Sequence, residues 1–184
     1  MSTTVLHPDL WSISRMFRYP YAHEVSALLP EKVGAEAQAL IKEMNLIDPV
    51  RLENEYVRLF VNAMPEVPCA PYGSVYLEGT VMGESTVKVA RIYRQYGMEH
   101  EELADHIAVE SEFLAWLHGR VIESPQARED FDYLLGHLRQ WTASFFEQVE
   151  QHDQLGCYRQ CAQWARRTLA DLDDPRVTVR TTDR

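Results

Sequence analysis

Three side chains able to bind or exchange protons stand at four-residue steps near the middle of the chain: Glu102, His106 and Glu110. If that stretch is helical they share one face, and Asp105 and Glu112, two turns apart, share a neighbouring one. A histidine that titrates near neutrality, ringed by carboxylates, suits metal or redox chemistry, or the gripping of a cation through charge-assisted hydrogen bonds. Buried charge without a partner is expensive, so such a group must be solvated or matched. Two readings follow. The residues form a solvated stripe with His106 paired to Glu102 or Glu110, or they wall a cleft that accepts a cationic ligand.

Enzymatic signatures are otherwise missing. The sequence holds no G-x-G-x-x-G, Walker-type G-x-x-x-x-G-K, G-x-S-x-G or H-E-x-x-H. A di-iron site in a helical bundle needs Glu-x-x-His pairs, and no glutamate here is followed by a histidine three residues on. Cys157 and Cys161 lie one helical turn apart on an apolar stripe, which suits small buried side chains better than a metal or a redox pair. Cys69 has no adjacent histidine to activate it. No cofactor and no catalytic residue is expected. A helical metal-dependent redox enzyme built on His106 and its carboxylates is the alternative.

The elements that must position these residues read as helix after helix. Pro8 opens the first, with Leu10, Ile13 and Phe17 on one side, and Pro20 ends it. Further helices are expected over Tyr21 to Leu29, Glu31 to Leu46, and from Asp48-Pro49 through Leu52, Tyr56, Leu59 and Phe60. A helix capped by Ser85 runs to Gly97, another spans Leu103 to His118, Ser124-Pro125 opens a long one, and Cys157 to Leu172 forms the last. Between residues 62 and 84 the pattern breaks, and three prolines, Pro65, Pro68 and Pro71, forbid a long helix there. Loops of that length are usually functional, and this one is rich in aromatic groups. The expected fold is therefore all-α: a single-domain bundle of about eight or more helices, with a long aromatic Pro/Gly loop after the fourth. The domain is expected over residues 1–175, with a polar tail over 176–184.

With 184 residues and 46% apolar side chains, the chain can enclose one real core. Its formal net charge of -10 disfavours nucleic acid and anionic membrane surfaces as partners. Met1 to Leu10 shows no secretory pattern, and no apolar run approaches the roughly 20 residues of a membrane span. Three cysteines are an odd set that fits a reducing compartment. A cytoplasmic location without stable membrane insertion is expected.

Three segments, in order and spacing, resemble the TorD/DmsD family of molybdoenzyme-specific chaperones, relatives of NarJ. Glu55-Tyr56-Val57-Arg58-Leu59-Phe60-Val61 looks like the family's E-Y-x-R-L-F helix. Ala70-Pro71-Tyr72-Gly73-Ser74-Val75-Tyr76-Leu77 is similar to its P-P-[WY]-[GE]-S-V-[WY]-L loop, and Gly83-Glu84-Ser85-Thr86 to the G-D-S-T that follows. Asp105 to Leu117 looks like its D-H-[IL]-x-x-E-[LS]-E-F helix. Where relatives often carry E-P-x-D-H, this chain has Leu103 in place of the proline.

The resemblance implies a cytoplasmic, all-helical chaperone, monomeric or a domain-swapped homodimer. Its partners would be the twin-arginine (Tat) signal peptide and the apo form of a molybdopterin-containing reductase or dehydrogenase subunit, held back from export until the cofactor is inserted. Such a peptide joins arginines to an apolar stretch, so its receptor needs an apolar groove with an acidic lip. Tyr72, Gly73, Ser74 and Tyr76 of the loop, with Glu102, Asp105, His106 and Glu110, are the expected binding residues. The tyrosines would supply flat apolar surface, the carboxylates would take arginine, and His106 would orient Asp105 or read the peptide backbone.

Overall fold

The computed structural model describes residues 6–21 and 33–172. Among the described residues eight α-helices follow one another: α1 (Pro8–Met16), α2 (Ala35–Leu46), α3 (Pro49–Tyr56), α4 (Gly73–Glu78), α5 (Glu84–Gln95), α6 (Ile107–His118), α7 (Pro125–His152) and α8 (Cys157–Asp171). No strand occurs among the described residues. The helix expected over 21–29 and the tail over 176–184 lie outside them, apart from Tyr21.

The local rules that start several of these helices are visible at their caps. Pro8, Pro49 and Pro125 sit in the first turn of their helices, where a missing N–H costs nothing. Asp48 accepts from the Arg51 N–H at 3.0 Å, and Ser124 from that of Ala127 at 3.2 Å. α5 begins one residue before the expected Ser85 cap. The Glu78 carboxylate takes the Glu84 and Ser85 N–H groups at 2.6 and 2.9 Å, so the cap is supplied from α4. Gly97 takes φ +67° beyond α5, as expected of a residue past a helix end.

α6 is the centre of the bundle, flanked by α1 and α7, and α8 packs on α7 with α2 beside it. Its buried residues, among them Ile107, Phe113, Leu114 and Leu117, cover more than one face, so it must be enclosed from several sides. An aromatic cluster joins the elements: Phe17 meets Phe145 at 5.4 Å, and Phe60 meets Tyr158 edge-on at 5.2 Å. Cys69, Cys157 and Cys161 are all buried free thiols.

The segment Glu55 to Phe60 pins the end of α7. α3 passes into a π-helical turn over Val57–Val61, whose one-residue excess lets Tyr56, Leu59 and Phe60 all point inward. Arg58 grips Glu55 with two bonds, 2.8 and 2.7 Å, and donates a third to the His152 carbonyl at 2.6 Å. The Gln154 N–H closes the knot on Glu55 at 2.7 Å. Burial works against the Glu55 charge, yet these donors hold its carboxyl below the ordinary range.

The loop expected over 62–84 is real but not wholly irregular. α4, a helix of six residues, forms inside it once the last of the three prolines is passed. α4 lies on α7 and α5 on α4, so the segment is packed down against the bundle.

Candidate functional site

The aromatic loop and the start of α6 are joined by backbone. The Ile107 N–H donates to the Pro71 carbonyl at 2.9 Å and that of Gly73 to the Asp105 carbonyl at 3.0 Å, which makes Tyr72 and His106 an isolated antiparallel bridge. Asp105, fully buried, accepts from the Ser74 N–H through its carboxylate at 2.8 Å. The Tyr72 and His106 rings meet edge-on at 5.3 Å.

This seam moves the start of α6. The expected helix from Leu103 begins instead at Ile107, because His106 is the N-cap: its Nδ1 accepts from the Ala108 N–H at 3.1 Å. Asp105 meanwhile turns back to Ser74, a side-chain-to-backbone bond that competes with helix formation. The stripe Glu102–His106–Glu110 and its neighbour Asp105–Glu112 are therefore not helical faces. His106 pairs with neither Glu102 nor Glu110. An imidazole accepting at Nδ1 is neutral, and burial lowers the His106 pKa to about 3.

Glu110 turns inward, not toward a lip. It is fully buried, and its Oε1 lies 2.7 Å from Nδ1 of His137 on α7. Burial pushes the Glu110 carboxyl up, whereas for His137 the bond and charge of Glu110 outweigh burial and raise it. Trp141, one turn beyond His137, stacks on Tyr76 with centroids 5.6 Å apart. Gly73 lies so close to this pair that a Cβ would sit 2.8 Å from the Trp141 Nε1 and 3.0 Å from the His137 Cε1. Only glycine fits there. Asp105 and Glu110 thus cannot offer carboxylates to an arginine at the surface in this conformation, since water itself does not reach them.

A cavity of about 490 Å³ opens on the other side of the seam. Tyr19, Tyr56, Tyr93 and Phe113 give it an aromatic wall, and Glu99, Glu101 and Glu102 an acidic rim. Glu112 also lines it, paired with Arg18. Of the expected residues, Glu102 and His106 line this space, and the Tyr72 hydroxyl reaches Glu102 Oε2 at 3.4 Å from its edge. Gly73, Ser74 and Tyr76 pack on the α6 and α7 side instead. Sequence reasoning passes over His137, Tyr93, Glu99 and Glu101. The four-residue spacing of His137 and Trp141 on an apolar helix is the signal that could have found the first. Among the described residues, no group of three His, Cys, Asp or Glu is arranged to hold a metal ion, and no helix is long and apolar enough to cross a membrane.

The sequence profile of the nitrate reductase delta subunit family matches residues 26–148. A candidate redox enzyme maturation protein from Archaeoglobus fulgidus is similar in structure, with a TM-score of 0.63 and 29% identity, over 90% of this chain and 95% of its own. No curated protein sequence matches this one. A maturation protein assists assembly and is not a catalyst. The chain therefore belongs to the nitrate reductase delta subunit family, as a maturation chaperone and not an enzyme.

Proposed function

We propose that this chain is a cytoplasmic chaperone of the TorD/DmsD kind, holding the twin-arginine signal peptide of a molybdopterin-containing oxidoreductase while the apo subunit receives its cofactor. One observation carries the reading: a single cavity joins a tyrosine-rich wall to a rim bearing Glu99, Glu101 and Glu102. A twin-arginine leader has the complementary make-up, two guanidinium groups beside a moderately apolar stretch. The rim carboxylates accept bidentate bonds from arginine, which lysine cannot imitate. Tyrosine faces receive both the apolar stretch and the guanidinium planes. Tyr72 and His106 form the edge, where a half-buried hydroxyl and a neutral ring meet the peptide. Gly73, Ser74, Tyr76, Asp105 and Glu110 serve the site by fixing that edge. The formal charge of -10 speeds encounter with a basic peptide.

Calorimetry with a synthetic twin-arginine leader tests this. The peptide should bind, a twin-lysine version should bind about tenfold more weakly, and Glu101→Gln with Glu102→Gln should erase the difference. Equal affinity of the wild-type chain for both peptides would sink the proposal.

A further inference from the structure

α5 presents a second surface of opposite sign, directly before the acidic rim. Its outward arc carries Val87, Lys88, Arg91 and Arg94, all exposed, against Glu84 as the only acid. At helical spacing these side chains fall within about one third of the circumference. In a chain of formal charge -10, this is an unusual concentration of cations. Several basic residues elsewhere are ion-paired, such as Arg58 on Glu55 and Arg167 on Glu36. Lys88, Arg91 and Arg94 form no ion pair among the described residues, although Lys88 stands near Glu78.

An apolar tip adjoins the basic arc. Leu77, Val81, Met82 and Val87 are 38, 52, 67 and 52% exposed, grouped around the short connection from α4 to α5. The Glu78 bonds to the N–H groups of Glu84 and Ser85 draw that connection closed, so the tip is held next to the first turn of α5. Met82 takes φ +63°, a left-handed conformation that a bulky residue adopts only at a cost, and its side chain is left in water. A row of unpaired cations beginning at an exposed apolar tip is complementary to a segment with acids along one side and apolar groups at one end.

We infer that the outer face of α5, with the Leu77–Met82–Val87 tip, docks an acidic amphipathic segment on the body of the client polypeptide, separate from the cavity. The inference goes beyond the leader-peptide reading and does not need it. A polypeptide is favoured over an anionic membrane because the rest of the chain is strongly acidic and the apolar tip is small.

Fluorescence anisotropy of the full chain with a synthetic leucine–glutamate amphipathic helix tests it, with a leucine–lysine helix as control. The acidic helix should bind and the basic one should not compete for the same face. Lys88→Glu with Arg91→Glu should weaken binding about tenfold, and raised salt should do likewise. Met82→Ser with Val87→Ser should weaken it about fivefold, since charge alone is not the recognition. Glu102→Gln should leave it unchanged, which separates this surface from the cavity. Unaltered binding by either double variant overturns the proposal. So does tighter binding of anionic phosphatidylglycerol vesicles than of the acidic helix through the same residues.

Discussion

Nδ1 of His137 stands 2.7 Å from Oε1 of Glu110, and the two join α7 to α6 with both side chains closed to water. Burial raises Glu110 and Glu110 raises His137, so the two titrate as a pair. Each is the other's answer to desolvation. Glu110→Leu or His137→Leu alone should cost about 3 kcal/mol, whereas the double variant should recover most of that loss. Urea unfolding measures all three, and additive losses would show that the two residues do not act as a pair.

Gly73 and Gly136 should respond to alanine with opposite signs. A Cβ at Gly73 meets Trp141 and His137, so Gly73→Ala should destabilise by about 1–3 kcal/mol. Gly136 lies inside α7 with nothing within 4 Å of where a Cβ would stand, so Gly136→Ala should stabilise by about 0.5–1 kcal/mol. Thermal melting distinguishes them. A rise for both would mean that the loop is not seated on α7.

His106 makes stability depend on pH. The unfolded imidazole takes its proton near 6.5 and the folded one resists until about 3, so its contribution is complete above 6.5 and drains as the pH falls below it. At pH 5 the loss from this residue should be about 2 kcal/mol. His106→Asn keeps a capping acceptor without the titration and should make the profile between pH 7 and 5 shallower, with His118, lowered by burial to about 4, supplying part of the slope that remains. An unchanged slope in that variant would remove His106 as the cause.

Asp105 should separate structure from recognition. Asp105→Ala strips the acceptor from the Ser74 N–H and should cost about 1.5–3 kcal/mol, with leader-peptide affinity falling as the loop edge loosens. Asp105→Asn keeps an acceptor oxygen and should retain most of both. Equal loss of peptide affinity in the two folded variants would instead make the carboxylate charge itself the contact.

Cys69, Cys157 and Cys161 should all be slow toward a thiol reagent in the native chain. Burial pushes the Cys69 and Cys157 thiols up to about 12 and raises Cys161 well beyond its usual range, so little thiolate is present. Three fast equivalents without denaturant would contradict this.

Helix starts are legible wherever a cap and a proline stand side by side, as at Asp48-Pro49 and Ser124-Pro125, because those signals act within one turn. α4 is not, since its six residues sit behind Pro65, Pro68 and Pro71 and depend on Trp141 and Asp105 for their seat. Spacing groups the acids and the histidine around the start of α6 but does not orient them. Asp105 and Glu110 read as surface charge from spacing alone, and only the arrival of Ser74 and His137 from distant segments explains their burial. The cavity rim at Glu99 and Glu101 carries no periodic signal at all, because it belongs to the irregular connection between α5 and α6.

The Tyr72–His106 bridge has a consequence for how such a receptor can change its preferences. The bonds that brace the mouth are interior and shared between segments, whereas the Glu99, Glu101 and Glu102 side chains stand exposed on the connection between α5 and α6. If the leader peptide sits in the cavity, swapping residues there retunes what is admitted without disturbing the frame. Choosing a cargo and keeping a shape are, in this chain, separable problems.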